Sequence, residues 1–314
     1  MDIHTFDAAT HEILAVLPEY NMPLARLRAI VQAGQLPTVT VIGKYNHGKS
    51  RLLNELIGDD IFSVADKRET VTLSEHLQHN IRWLDAPGLD ADVATIDDQH
   101  AQDAMWNKAD IRLMIHSVRE GEFDPYELRL FQQFEQDATQ TQRQSVLVLT
   151  QIDQIPDQTV LAHIIDSIQK QAPAATVLPV SATRHRQGIE NSKTLLVQRS
   201  GIPELQQTLS RVIEKVPAVR QFETNKIFTD LTAQLSQLQQ TTQANIQQLS
   251  ATLDHQRQAF EHDLNQVLDK VREDLQPILH VSGQDDSLEP DSFANMYKVT
   301  AGKRDRNRIQ VAYS

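Results

Sequence analysis

The sequence predicts an α/β fold: a mostly parallel sheet with helices on both faces, flanked by helical segments at either end. Three observations carry this. Residues 43–50 read Gly-Lys-Tyr-Asn-His-Gly-Lys-Ser, a complete G-x-x-x-x-G-K-[ST] loop with an apolar strand before it and an amphipathic stretch after it. Short runs rich in branched apolar residues then alternate with helical stretches as far as about residue 216. Beyond residue 228 the apolar residues fall largely on a 3/4 spacing with no glycine or proline between them until Pro277.

Residues 3–33 contain two amphipathic stretches, broken at Pro18 and near Pro23 and closed by Gly34 and Pro37. Helices of this length need a partner surface, because their stability comes mostly from packing. The run Thr38-Val39-Thr40-Val41-Ile42 reads as a buried strand leading into the loop. Within the loop, Gly43 and Gly48 let the backbone curl so that successive N–H groups face an anion. Lys44, Tyr45, Asn46 and His47 present main-chain donors, Lys49 reaches the outer phosphates, Ser50 offers a hydroxyl to Mg²⁺, and Arg51 opens the following helix, which ends at Gly58. Residues 71–77 and 80–85 read as two strands joined by a tight turn. Runs 111–118, 145–150 and 176–181 are buried strands, and helical stretches fall near 98–109, 124–138, 157–171 and 203–215. In such a sheet, ligands bind at the carboxyl ends of the strands.

At those ends the chemistry-bearing residues come in order. Asp85-Ala86-Pro87-Gly88 closes one strand; Asp85 can hold Mg²⁺ through water, and the Gly88 N–H can sense a γ-phosphate. Thr70 is the candidate for a threonine that closes over Mg²⁺ only when that phosphate is present, with Thr72 and Ser74 as competitors for the role. Thr150-Gln151-Ile152-Asp153 follows another strand, where the Asp153 carboxylate can accept two hydrogen bonds from guanine. Ser181-Ala182 follows the last strand, where a backbone N–H can meet the guanine O6.

Taken together, these motifs over about residues 37–216 resemble the translation-factor-like GTPases of the Era type, whose "LLNxLxG" helix is matched by Leu52–Gly58. The resemblance implies a P-loop GTPase domain that binds GTP and GDP with Mg²⁺ held by Ser50, Thr70 and Asp85, and it implies catalytic roles for Lys49, Thr70, Gly88 and Asn46. Two positions depart from the pattern. Gln151 stands where the family usually has lysine, which predicts retained guanine selectivity with weaker affinity. Leu89 stands where Ras-type proteins carry the glutamine that orients water. Asn46 occupies the place where potassium-activated Era-type GTPases carry an asparagine, so two readings are open: a ligand for K⁺, or a residue that tolerates a tight turn. His47 reads as a variable loop residue whose backbone matters. The other histidines, including His76, His79, His100, His116 and His185, show no metal-ligand spacing, and no transition-metal site is expected.

The expected organisation is a helical segment at 1–36, the GTPase domain at 37–216, an amphipathic coiled-coil or bundle segment at 217–277, and a flexible tail at 278–314. As one continuous helix the third segment would extend roughly 80–90 Å. The favoured reading has it folding back as a hairpin on itself and on the N-terminal helices, with dimerisation or capture of a protein partner as the other. Helices on both sides of a GTPase core also resemble, more weakly, bacterial dynamin-like proteins. Expected partners are GTP and GDP, with a homodimer formed through the nucleotide face or the C-terminal helices. A net charge of −12 argues against broad binding to nucleic acid or anionic lipid, and no membrane paddle is visible. The absence of cysteine, of a basic leader and of any span near 20 apolar residues fits a cytoplasmic protein.

Overall fold

The computed structural model describes residues 3–62, 74–86 and 102–279. Two helices, α1 (Ile3–Val16) and α2 (Asn21–Ala33), open the chain. Pro18 starts a short turn between them, while Pro23 sits in the first turn of α2, where a missing N–H costs nothing. Gly34 (φ 60°) ends α2. There follow β1 (Thr38–Ile42), α3 (Lys49–Ile57), β2 (Ser74–Gln78), β3 (Ile81–Asp85), a π-helical turn (Asp103–Lys108) and β4 (Ile111–Ser117). Then come α4 (Pro125–Thr141), β5 (Gln144–Thr150), α5 (Gln158–Gln171), β6 (Val177–Pro179), α6 (Ala182–Glu190), α7 (Thr194–Gln198), α8 (Ile202–Ile213) and α9 (Val216–Leu279).

The strands form one sheet in the order β2-β3-β1-β4-β5-β6, in which only β2 runs antiparallel. Both faces are covered. Leu52, Leu53 and Leu56 of α3, Leu205 and Leu209 of α8, and Val216 pack on one; Leu130, Phe131 and Phe134 of α4 with Leu161 and Ile168 of α5 pack on the other. β1 therefore lies between β3 and β4, and the chain crosses from one neighbour to the other. That crossing opens a crevice at the carboxyl ends, directly over the loop that follows β1.

Helices α6 and α7 escape a reading of apolar period, because 182–198 is rich in Arg, His and Gln. Local chemistry makes α6 instead: the Ser181 hydroxyl caps it by accepting the Arg184 N–H at 3.0 Å. Tertiary ion pairs then hold it. Buried Glu55 of α3 receives His185 Nδ1 and Arg186 Nε, each at 2.7 Å, clamping the helix after the loop to the helix after β6.

The chain divides into two compact units, Met1–Ala233 and Gln234–Ser314. In the first, α1 and α2 bury Phe6, Leu24 and Leu27 against Ile227 in the early turns of α9. The expected hairpin does not form: α9 is one uninterrupted helix. Its Thr-Gln stretch stays helical, with the Thr241 hydroxyl bonded back to the Gln237 carbonyl within the helix. In the second unit, Ile246, Leu249, Leu253, Phe260, Leu264 and Val267 are exposed.

Beneath the helical flank lies a buried ion cluster. Asp110, just before β4, accepts from the Thr38 N–H (2.7 Å), Arg26 of α2 (2.8 Å) and Arg220 of α9 (2.5 and 2.9 Å). Glu223 of α9 accepts from the same Arg26 at 2.8 Å and lies 3.2 Å from Arg143. Burial pushes the Asp110 carboxyl up, but Arg220 and Arg26 more than reverse this and hold it below the usual carboxylate range. Asp137 is lowered in the same way by Arg112 and Arg143.

Removing one member of a buried ion cluster leaves uncompensated charge, so Asp110→Ala is expected to cost about 3–5 kcal/mol in urea unfolding. A lowered carboxylate contributes stability above its unfolded pKa of about 3.9, and the contribution is lost as pH falls through the lower native value. Wild-type stability should therefore drop below about pH 4, and Asp110→Asn should flatten part of that drop.

Candidate functional site

The loop between β1 and α3 bends through two left-handed residues, Asn46 (φ 62°) and Gly48 (φ 82°). Gly43 is needed for a different reason. A Cβ there would collide with the Ile115 carbonyl oxygen of β4, so only glycine lets the loop pass this close to the sheet. Gly48 caps α3, whose first N–H groups face the crevice. Lys49 is largely buried, and its ammonium donates to the Lys44 carbonyl at 2.9 Å across the loop.

Ser50, in the first turn of α3, and Asp85, the last residue of β3, meet: the Ser50 hydroxyl donates to Asp85 Oδ2 at 2.6 Å. The other oxygen, Asp85 Oδ1, is buried without a hydrogen-bond partner among the described residues. Burial pushes the Asp85 carboxyl up, against the Ser50 hydrogen bond and the Lys49 charge. A buried carboxylate with an open oxygen beside a hydroxyl suits a hard divalent cation such as Mg²⁺. Thr70 and Gly88, the other residues expected there, lie outside the described residues, as does Leu89.

Across the crevice, the residues after β5 hold the loop from behind. The Thr150 hydroxyl donates to the His47 carbonyl at 2.6 Å, and Gln151 Nε2 donates to the Asn46 carbonyl at 2.7 Å. Gln151 Oε1 in turn accepts from Ser117 Oγ at 2.9 Å. The glutamine in place of lysine is thus a brace between the loop and β4. Asp153 meets Ser181, whose hydroxyl donates to Asp153 Oδ1 at 2.5 Å, while Gln154 donates to Oδ2 at 2.9 Å. Gly48, Arg51, Thr150, Gln151, Asp153 and Ala182 all line one pocket of about 200 Å³.

Sequence reasoning missed the side chains that turn away from this pocket. His47 is buried and clustered with His116 at the end of β4 and Glu127 in the first turn of α4, all within 4.8 Å. Lys44 contacts Asp124 at 2.5 Å and Glu127 at 3.5 Å. These residues come from three separate elements, so no linear spacing announces them. The local signal present is the Asp124/Glu127 capping box, which opens α4.

A family model described as 50S ribosome-binding GTPase matches residues 38–151. An uncharacterized protein of Acinetobacter baylyi is 55% identical over 314 residues, which is 100% of this chain and 75% of that one. The chain belongs to the family of that protein, with an Era-type GTPase domain. GTPase Era of Bordetella petrii is 30% identical over 164 residues, 48% of this chain and 51% of its own, so the chain spans about half the length of that relative. Among solved structures, an oligomerised bacterial dynamin pair is similar at 15% identity and a TM-score of 0.49, covering 87% of this chain and 52% of that one. Among the described residues no helix is long and apolar enough to cross a membrane.

Gln151→Ala removes two hydrogen bonds that brace the loop, each contributing about 1 kcal/mol. Nucleotide affinity measured by fluorescence titration should fall up to about tenfold, and the thermal unfolding temperature of the nucleotide-free protein should drop by several degrees.

Proposed function

We propose that this protein binds GTP and GDP with Mg²⁺ and hydrolyses GTP to GDP and phosphate, and that its helical flanks read out the nucleotide state. One observation carries this reading: Gly48 of the phosphate loop and Asp153 and Ala182 of the base-recognition segments line the same pocket. A nucleotide spanning it would have its phosphates at the α3 N-terminus and its base against the carboxylate. Lys49 neutralises the outer phosphates, and the N–H groups of residues 43–51 point at their oxygens. Ser50 and Asp85 hold Mg²⁺, with Thr70 completing the set in the triphosphate state; when bound, the ion neutralises phosphate charge. Gly88 senses the γ-phosphate. The Ser181 hydroxyl orients Asp153, which selects guanine over adenine because adenine has no donor pair to offer it.

The readout has a physical route. β1 is only five residues long. One end, Thr38, touches the Asp110 cluster that grips α2 and α9; the other end runs into the phosphate loop. A shift of the loop on phosphate release is felt at that cluster through a stiff strand. The four-part organisation, 1–36, 37–216, 217–277 and 278–314, fits this route, as do a homodimer and a cytoplasmic setting.

Calorimetric titration with GTP, GDP and ATP tests the assignment. Guanine nucleotides should bind in preference to ATP, Lys49→Ala should abolish binding, and Asp153→Asn should erase the preference. Binding without any choice among purines would refute it. Asn46 as a ligand for K⁺ predicts faster GTP hydrolysis in potassium than in sodium. Equal rates would leave Asn46 as a turn residue only.

A further inference from the structure

The pair His47 and His116 faces an excess of acceptors. His47 presents Nε2 to Glu120 Oε1 at 3.1 Å, and Nδ1 to the Ile115 carbonyl at 3.2 Å and to Glu127 Oε1 at 3.7 Å. His116 presents Nε2 to the Gly121 carbonyl at 3.0 Å and Nδ1 to the same Glu127 Oε1, also at 3.0 Å. A neutral imidazole has one N–H and one lone pair. One nitrogen of each ring therefore points a lone pair at an oxygen that has lone pairs of its own. Positive charge has to lie between them, either as an extra proton on each ring or as one cation shared by both.

The arrangement of partners favours the cation. His116 Nε2 is hydrogen-bonded to the Gly121 carbonyl at 3.0 Å, while His47 Nε2 lies 3.1 Å from Glu120 Oε1 without hydrogen-bond geometry. For His116 that is how a ligating histidine is oriented, with the distal N–H held and the other nitrogen turned to the cluster. His116 Nδ1 meets Glu127 Oε1 at 3.0 Å, and His47 Nδ1 lies between that oxygen, at 3.7 Å, and the Ile115 carbonyl, at 3.2 Å. Two ligands about 2.1 Å from a tetrahedral ion lie roughly 3.4 Å apart; the 3.0 and 3.7 Å separations lie on either side of that value. Charge agrees. Among the described residues, Glu120, Asp124 and Glu127 pair with one lysine, Lys44, and with both histidines neutral these four groups keep two negative charges for a divalent ion. The site is also preorganised: the Thr150 hydroxyl ties the main chain of His47 (2.6 Å) to that of His116 (3.3 Å), and Phe123 packs edge-on against His116.

We propose that His47 Nδ1, His116 Nδ1 and Glu127 form a binding site for a divalent first-row transition metal of the zinc class, distinct from the Mg²⁺ position at Ser50 and Asp85. Two imidazoles and one carboxylate are the donor set such ions take, and Mg²⁺ has no preference for nitrogen. The ion would pin the phosphate loop to the end of β4 and the start of α4.

Equilibrium dialysis of the full chain against Zn²⁺ in excess Mg²⁺, with bound metal measured by mass spectrometry, tests this. Wild type should bind one equivalent, and Asp85→Asn should still bind it. His116→Gln and Glu127→Gln, each checked for folding by circular dichroism, should lose it. Should a variant not fold, Co²⁺ bound to the wild type supplies the readout: intense visible bands of a low-coordinate nitrogen-containing site support the proposal. Absence of stoichiometric Zn²⁺ binding by folded wild type, retention of full binding by His116→Gln, loss of binding in Asp85→Asn, or only the weak Co²⁺ bands of an all-oxygen octahedral site would each overturn it.

Discussion

Two main-chain carbonyls of the phosphate loop, those of Asn46 and His47, are held from behind by Gln151 and Thr150. Everything else at the crevice depends on this brace. A loop of glycine and left-handed residues has no regular hydrogen-bond ladder of its own, so its N–H groups point inward only if its carbonyls are anchored outward. The anchor is supplied by the strand that also delivers Asp153. The loop and Asp153 are thereby tied to one framework, and the distance between them is set by the β1–β4 and β4–β5 pairings rather than by a flexible connection.

The helical flanks obey a different physics. Their apolar contact with the rest of the first unit is small, with Phe6, Leu24 and Leu27 at its centre. Buried charge supplements it. Asp110 and Glu223 are paired with arginines contributed by α2, α9 and the residue before β5, and such a cluster tolerates few alternative arrangements, since any displacement leaves a charge unpaired away from water. A junction of this kind favours discrete positions over gradual ones.

Legibility in the sequence tracked how local the physics is. The strands at 38–42, 111–117 and 144–150 were visible because branched apolar runs bounded by polar residues have few alternatives. The loop was visible because Gly43, Gly48, Lys49 and Ser50 carry separate, residue-specific roles. α6 was not, since a cap and ion pairs to Glu55 hold it rather than an apolar stripe. The hairpin expected of the C-terminal segment did not form: the weak helix formers near 239–244 carry only a small propensity cost, and no glycine or proline there ends the helix.

By itself the sequence determined the α/β layering, the phosphate loop and the order in which Asp85, Thr150, Asp153 and Ser181 follow it, because period, turn chemistry and motif spacing are properties of neighbouring residues. Only tertiary structure decided that Gln151 braces the loop, that Asp110 joins both flanks to β1, and that His47, His116 and Glu127 share one buried point. Those are encounters between side chains 11 to 110 residues apart, and chain order carries no record of such distances until the sheet has set its register.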